Sequence, residues 1–481
     1  MAQTSTGSPA IREQPNRTFS PSVPGFTVAQ QPEDQYVSNP LRKLCFNIGL
    51  GFVFLRLSML HQTLAYVFHF NLYLMYLFGL PPLIGVMLTG GIGRTLKSRT
   101  ALYWCGFAFW MAVATPFSSW RGSSFGLLTD YLRTELDILF VVAGLTLTWK
   151  ECQKLFSAGA LAALTVLATS HFLQSDDIRL YGSRVALQMG TVSDPNDFAA
   201  HLMLVICFLL WVCLVSKSKF YRIVAFAGIG GGLLLIIKTG SRGAEIGLSA
   251  GLLCFFSLAK GRQRTALLLL SPIAASAILM LVPAATLQRL QSFTAAGGAD
   301  GSAVESAEGR TYLLKKSIAY TFQFPIFGVG PGQFSEYEGN HNVIGGTTHG
   351  SWHDTHNSYT QASSECGIPG GALFLAGVLS TIFLFSKGLR DARRRGNSDD
   401  IQNAYLCILA GTVGFYVTIG FLNFAYLFYG PLLAGLAIAM SRAASEELRL
   451  RGLQAAERAP LPFGGRVRPM ANGSANCLNR R

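Results

Sequence analysis

The chain has 481 residues, of which 50% are hydrophobic and only 13% charged, for a mean hydropathy of +0.36. Soluble chains carry roughly 25% charged residues, and apolar stretches long enough to cross a bilayer recur here from Leu44 to Met440, which excludes a soluble domain and indicates a polytopic membrane protein. The formal net charge of +14 serves loop orientation, and nucleic-acid binding is excluded because no basic stretch is interleaved with aromatics on a polar surface.

Residues 1–43 are rich in Pro, Gln, Ser and Thr and have no apolar core, so they read as a disordered cytoplasmic tail. A signal peptide would need a basic start followed by an apolar stretch. The runs that follow are apolar all round, without the alternation of a strand barrel, so they predict helices that close their own backbone hydrogen bonds. Spans are expected near 44–65, 69–92, 101–117, 126–148, 155–173, 198–215, 223–239, 244–259, 265–285, 368–386, 404–422 and 425–441. The expected fold is therefore an all-α integral membrane domain over 44–441 with about twelve transmembrane helices.

Basic residues alternate along that count. With the N-terminus inside, the inner loops hold Arg94, Lys97 and Arg99; Lys150 and Lys154; Lys217, Lys219 and Arg222; Lys260, Arg262 and Arg264; and Lys387 with Arg390 to Arg395. The short outer loops hold only Arg121, Arg179, Arg184, Lys238 and Arg242. This is the positive-inside pattern. It puts both termini in the cytoplasm, makes 442–481 a cytoplasmic tail, and leaves a long non-cytoplasmic loop at about 286–367 between the ninth and tenth helices. Nine scattered cysteines include no CxxC pair, and Cys105, Cys207, Cys213, Cys254 and Cys407 fall within apolar runs, so no disulfide framework is expected.

The chemistry-bearing residues gather on the predicted outer side. "TDYLRTELDILF" places Asp130, Arg133, Glu135 and Asp137 at a span end; an internal Arg133–Asp137 pair at i,i+4 is the plainer reading, substrate binding by Arg133 the functional one. In "SDPNDFAAH", Asp194, Asn196 and Asp197 suit a helix cap, or the hydroxyls of a sugar. In "KTGSRGAEIGL", Arg242 stands at the hydrocarbon boundary, where a guanidinium meets an anion or pairs with Glu245. "GRTYLLKKSIAYTFQF" spaces Leu313, Leu314, Ile318 and Phe322 on one helical face, predicting a helix lying on the membrane surface. "FGVGPGQF" marks a close turn at Gly328, Gly330 and Gly332.

"HGSWHDTHNSYTQASSECGIPG" runs from His349 to Gly370. Asp354, Thr355 and Asn357 are good helix caps, which places His356 at a helix N-terminus, where the dipole favours the neutral imidazole a general base needs. A polar loop histidine without a role is the alternative. His349, His353 and His356 also raise a metal, but the spacing is loose and no thiolate or carboxylate pair accompanies them, so no metal is expected.

Together these motifs resemble the O-antigen ligase and polymerase (Wzy-C) superfamily. The resemblance rests on His356-Asn357-Ser358-Tyr359, Glu365-x-Gly367-x-x-Gly370 opening a span, Ser241-Arg242-Gly243 between spans, Gly309-Arg310, and Phe327 to Gly332, within about 228–386. The extra His353 and the Gly/His-rich stretch before it depart from the pattern. The resemblance implies a glycosyltransferase-C-like architecture and transfer of a glycan from an undecaprenyl diphosphate donor to an acceptor hydroxyl, on the periplasmic side of a bacterial inner membrane, without metal, nucleotide sugar or other cofactor. The acceptor is lipid A-core sugar in ligases, a carrier-linked glycan in polymerases and a protein hydroxyl in O-oligosaccharyltransferases. It also implies the roles: Arg242 and Arg310 on the diphosphate, His356 on the acceptor hydroxyl, and Asn357, Tyr359 and Glu365 as substrate-binding or loop-steadying residues. A polysaccharide or lipid transporter is the rival of another class; it would place polar groups at mid-membrane, whereas here they gather at one face.

Overall fold

The computed structural model describes residues 37–173, 184–187, 190–281, 301–342, 350, 352–396 and 398–458. The described residues are helical, and no strand forms among them. In chain order the helices are α1 (Pro40–Ser58), α2 (Leu60–Phe68), α3 (Leu74–Leu88), α4 (Gly91–Leu96), α5 (Arg99–Ala114), α6 (Arg121–Asp130), α7 (Asp137–Leu145), α8 (Trp149–Phe172) and α9 (Pro195–Val215). There follow α10 (Lys219–Lys238), α11 (Arg242–Leu258), α12 (Gly261–Leu281), α13 (Gly301–Gln323), α14 (Phe334–His341), α15 (Ser358–Arg394), α16 (Asp399–Thr418) and α17 (Tyr429–Arg458).

Each apolar run of the sequence contains a helix. By length and apolarity, five segments among the described residues qualify as membrane crossings: Trp149–Phe172, Pro195–Val215, Lys219–Lys238, Ser358–Arg394 and Asp399–Phe421. A sixth qualifies if the pair α1 and α2, bent by 68° at Met59, counts as one span. Helices such as α3 and α5 are shorter than the roughly 20 residues a straight crossing needs. Helix α1 begins at Pro40, inside the stretch assigned to the N-terminal tail, and Arg42 is fully buried. At the other end α17 continues to Arg458, past the expected tail boundary.

Two packing devices position the site. Gly243, Gly247 and Gly251 form one face of α11, and a Cβ on Gly247 would collide with Thr418 and the Gly414 carbonyl of α16. Small residues at four-residue spacing let two helix backbones approach closely in a bilayer, and this pairing fixes where Arg242 starts α11. The second device is the kink of α15 at Gly367, whose φ of 70° belongs to the left-handed region that glycine enters freely. Pro369 has no N–H for the Glu365 carbonyl, and the Ile368 N–H turns away to the Pro325 carbonyl at 2.8 Å. The freed carbonyls of Ser364 and Glu365 accept the N–H groups of Val329 at 2.9 Å and Gly330 at 3.0 Å. A Cβ on Gly328 would strike the Glu365 backbone, so the glycine turn and the kink fit only as a pair.

At the opposite end, three arginines converge on the last turn of α7. Arg42 donates to the Leu145 carbonyl (2.6 Å), Arg94 to Gly144 (2.8 Å), and Arg442 to Ala143 (2.5 Å) and Thr146 (2.6 Å). These carbonyls have no partner within their own helix, and cations suit a helix C-terminus. Arg42 also pairs with Glu151 at 2.8 Å, which closes a capping box with Thr148 at the start of α8.

One local expectation changes. Residues Tyr131–Glu135 form a π-helical turn, with the Leu136 N–H bonded to the Tyr131 carbonyl. The extra residue breaks the i,i+4 register, and Arg133 pairs with Asp130 at 2.7 Å in place of Asp137. On α13, Ser317 and Thr321 are buried on the side of α15, Leu313 and Tyr320 are buried in a small core with Val329 and Phe334, and Ile318 and Phe322 are exposed. The small Ser317 and Thr321, the latter touching the Ser363 hydroxyl at 2.9 Å, permit the close helix contact that larger residues would prevent.

Candidate active site

Arg242, Arg310 and His356 come from three segments distant in sequence and line one cavity of about 320 Å³. Ser241 caps α11, its hydroxyl accepting the Ala244 N–H at 3.4 Å, so Arg242 is the first helical residue. Gly243 lies against Phe421, where a Cβ would collide with the ring. Arg310 projects from α13, which docks on α15 and is anchored by a small core of Leu313, Tyr320, Val329 and Phe334.

His356 sits one residue before the helix cap. The cap is Asn357, whose side-chain oxygen accepts the N–H groups of Tyr359 (3.0 Å) and Thr360 (3.1 Å). His356 itself adopts a φ of 49°, an uncommon region for a residue with a Cβ. Such a conformation persists only where the surroundings enforce it, and they do. The Thr355 hydroxyl lies 3.1 Å from Asn423, and Ser358 donates to the Leu422 carbonyl (2.7 Å) and accepts the Phe424 N–H (2.8 Å). The histidine turn is thus clamped to the segment joining α16 to α17, which supplies Gly420 and Phe421 to the cavity wall.

Burial, and next the charge of Arg310, hold His356 below the ordinary imidazole value; Asp354 and Asp194 oppose them. The neutral ring is therefore favoured at neutral pH. The direction agrees with the sequence argument, but the main cause is desolvation, and the helix dipole acts from one residue further away.

The remaining sequence candidates divide. Asn357 lines the cavity. Asp194 caps α9 by accepting the Asn196 N–H at 2.7 Å, and the Asn196 side chain receives Arg184 at 2.9 Å. Neither lines the cavity, although the Asp194 charge reaches His356. The Tyr359 hydroxyl is committed to the Tyr416 carbonyl at 2.7 Å. Glu365 is buried and accepts the N–H groups of Gly332 (2.8 Å) and Phe334 (3.3 Å), so it steadies the glycine turn and does not face the cavity. Arg133 is exposed and lies outside the cavity lining. His353 is exposed, and His349 lies outside the described residues; among those described, no three His, Cys, Asp or Glu are placed to hold a metal ion.

Sequence reasoning missed Ile246, Thr311, Gly420 and Phe421. The first two lie one helical turn or one residue from Arg242 and Arg310 and were findable by helical spacing. Gly420 and Phe421 carry no local signal, since only the tertiary clamp brings them there.

Two guanidinium groups facing a neutral imidazole can hold an oxyanion and take up a proton in one enclosure. No curated protein matches the chain. The family described as O-antigen ligase (Wzy_C) matches residues 227–375, which include Arg242, Arg310, His356 and the glycine turn. The described residues are helical, with five segments long and apolar enough to cross a membrane, and residues 227–375 are similar to the O-antigen ligase (Wzy_C) family.

Proposed function

We propose that the protein transfers a glycan from undecaprenyl diphosphate to an acceptor hydroxyl, of lipid A-core sugar or a similar glycan, at the periplasmic face of the inner membrane. The observation that carries this reading is the convergence of Arg242, Arg310 and His356 on one cavity. The bond between the anomeric carbon and the diphosphate oxygen breaks, and its electron pair stays on the diphosphate. Arg242 and Arg310 stabilise that charge, as fixed donors do without reorganising during the reaction. The acceptor oxygen bonds to the anomeric carbon, and its proton passes to His356. Asp354 and Asp194 then lie near the imidazolium and offset the charge of Arg310. Ile246 and Leu314, on the same cavity wall, suit the first isoprene units of the carrier.

The test separates donor binding from transfer. Arg242→Ala should weaken affinity for a polyprenyl-diphosphate glycan and lower turnover, and Arg242→Lys should restore only part, since an ammonium keeps the charge without the planar fork. Unchanged donor affinity and turnover in a folded Arg242→Ala protein would remove the diphosphate assignment.

The same reading places residues 44–441 in the membrane with twelve crossings and both termini in the cytoplasm. Reporter fusions after Gly261 and after Gly396 should report cytoplasm, and one within 301–306 periplasm. A cytoplasmic signal from the last would put the cavity on the wrong side for this reaction.

A further inference from the structure

A second cavity, of about 310 Å³, opens at the far end of the bundle from His356. Leu384 on its wall lies roughly 39 Å along α15 from Ser358, at about 1.5 Å of rise per residue. Three cations line it: Arg94 at the end of α4, Lys97 in the following turn, and Arg442 on α17. Ser98, Ser441 and Ser445 add hydroxyl groups, and Leu384 and Ile438 add an apolar wall. No Asp or Glu is among the described residues lining it. All of these residues lie outside 227–375, so the family match assigns them no role.

Arg94 and Arg442 also cap the last carbonyls of α7, so the wall of the cavity is held in place by the fold. Lys97 joins no ion pair among the described residues, so its place in the turn is not explained by a carboxylate. Guanidinium, ammonium and hydroxyl donors around one space match the tetrahedral oxygens of a phosphate. That volume leaves room for a headgroup. Basic recesses between spanning helices are a recurring mode of phosphate headgroup recognition.

We propose that this cavity binds a phosphate group, that of an anionic phospholipid headgroup with its glycerol and first methylenes on Leu384 and Ile438, or of a phosphate drawn from solution. The inference is independent of the glycan-transfer reading, because it shares none of that site's residues.

The full chain would be reconstituted in nanodiscs of phosphatidylcholine with and without one-fifth phosphatidylglycerol, and in phosphatidylcholine with inorganic phosphate at matched concentration. Bound lipid would be counted by native mass spectrometry and stability followed by thermal melting. Wild-type protein should retain phosphatidylglycerol over phosphatidylcholine and melt at higher temperature with it. Lys97→Glu should lower that retention at least tenfold, and Ser441→Trp, which fills the cavity, should do the same in a variant whose melting in phosphatidylcholine alone is unchanged. Protection by phosphatidylglycerol alone assigns the lipid source; protection by inorganic phosphate that both variants abolish assigns the solution source. Equal retention of both lipids with no effect of phosphate, or retention unchanged in the two variants, would overturn the proposal.

Discussion

At the end of the bundle that holds His356, Arg242 and Arg310 border open space; at the other end Arg42, Arg94 and Arg442 drive their guanidinium groups into the final carbonyls of α7. The residue type is the same. The difference is what each finds within reach. A helix that ends inside the protein presents carbonyls without partners, and a planar fork of donors satisfies several together. A helix that begins there, as α11 does after Ser241, presents N–H groups, and the Ser241 hydroxyl oxygen takes one of them. Arg242 and Arg310 thus line the cavity beside His356, while Arg42, Arg94 and Arg442 cap a helix end, Arg94 and Arg442 lining the second cavity as well.

This contrast is sharpest where function and stability can be separated. His356→Ala should reduce single-turnover transfer by about 10²–10⁴-fold, the usual contribution of a positioned base, with donor affinity and melting temperature preserved. Wild-type transfer by the folded variant would erase the catalytic half of the comparison. Arg42→Ala should act the other way. It strands Glu151 in a buried setting, and breaking a buried pair costs about 3–5 kcal/mol, so melting should fall steeply while any protein that stays folded still binds donor. A smaller effect follows from acidity. The pKa of His356 lies below the ordinary value of about 6.5, so transfer should be flat above neutrality and fall up to tenfold per pH unit once the pH drops through that lowered value. A profile that rises with acidification would contradict a neutral base. The smallest effect belongs to Arg133. Its pair with Asp130 is exposed, worth about 0.2–1 kcal/mol, and Arg133→Ala should leave transfer unchanged. A large activity loss there would extend the site well beyond the cavity.

The helical class and the convergence of Arg242, Arg310 and His356 were legible because each leaves a local trace: apolar runs, a Ser-Arg-Gly turn, a cap beside a histidine. The number of crossings is less directly legible, since α3 and α5 are short and α1 bends at Met59. The apolar periodicity of α13 marks Ile318 and Phe322, which are exposed, but not the face that packs on α15, which uses Ser317 and Thr321 and leaves no hydrophobic trace. The π turn at Tyr131 and the wall residues Gly420 and Phe421 depend on partners far along the chain, which no local pattern encodes.

The kink of α15 has one more consequence. Arg310 stands on α13, which runs into the glycine turn, and His356 stands just before α15, inside the loop of chain that follows that turn. That loop is closed near its base by the backbone bonds of Val329 and Gly330 to Ser364 and Glu365. Closing a loop costs entropy once, and afterwards the separation of its arms no longer fluctuates with the length of what lies between. The two carbonyls freed at the kink thus tie α15, which His356 precedes, to the turn that follows α13, which carries Arg310. Residues between the arms can lengthen, shorten or change composition, and so present a different surface to a different acceptor, without undoing that tie.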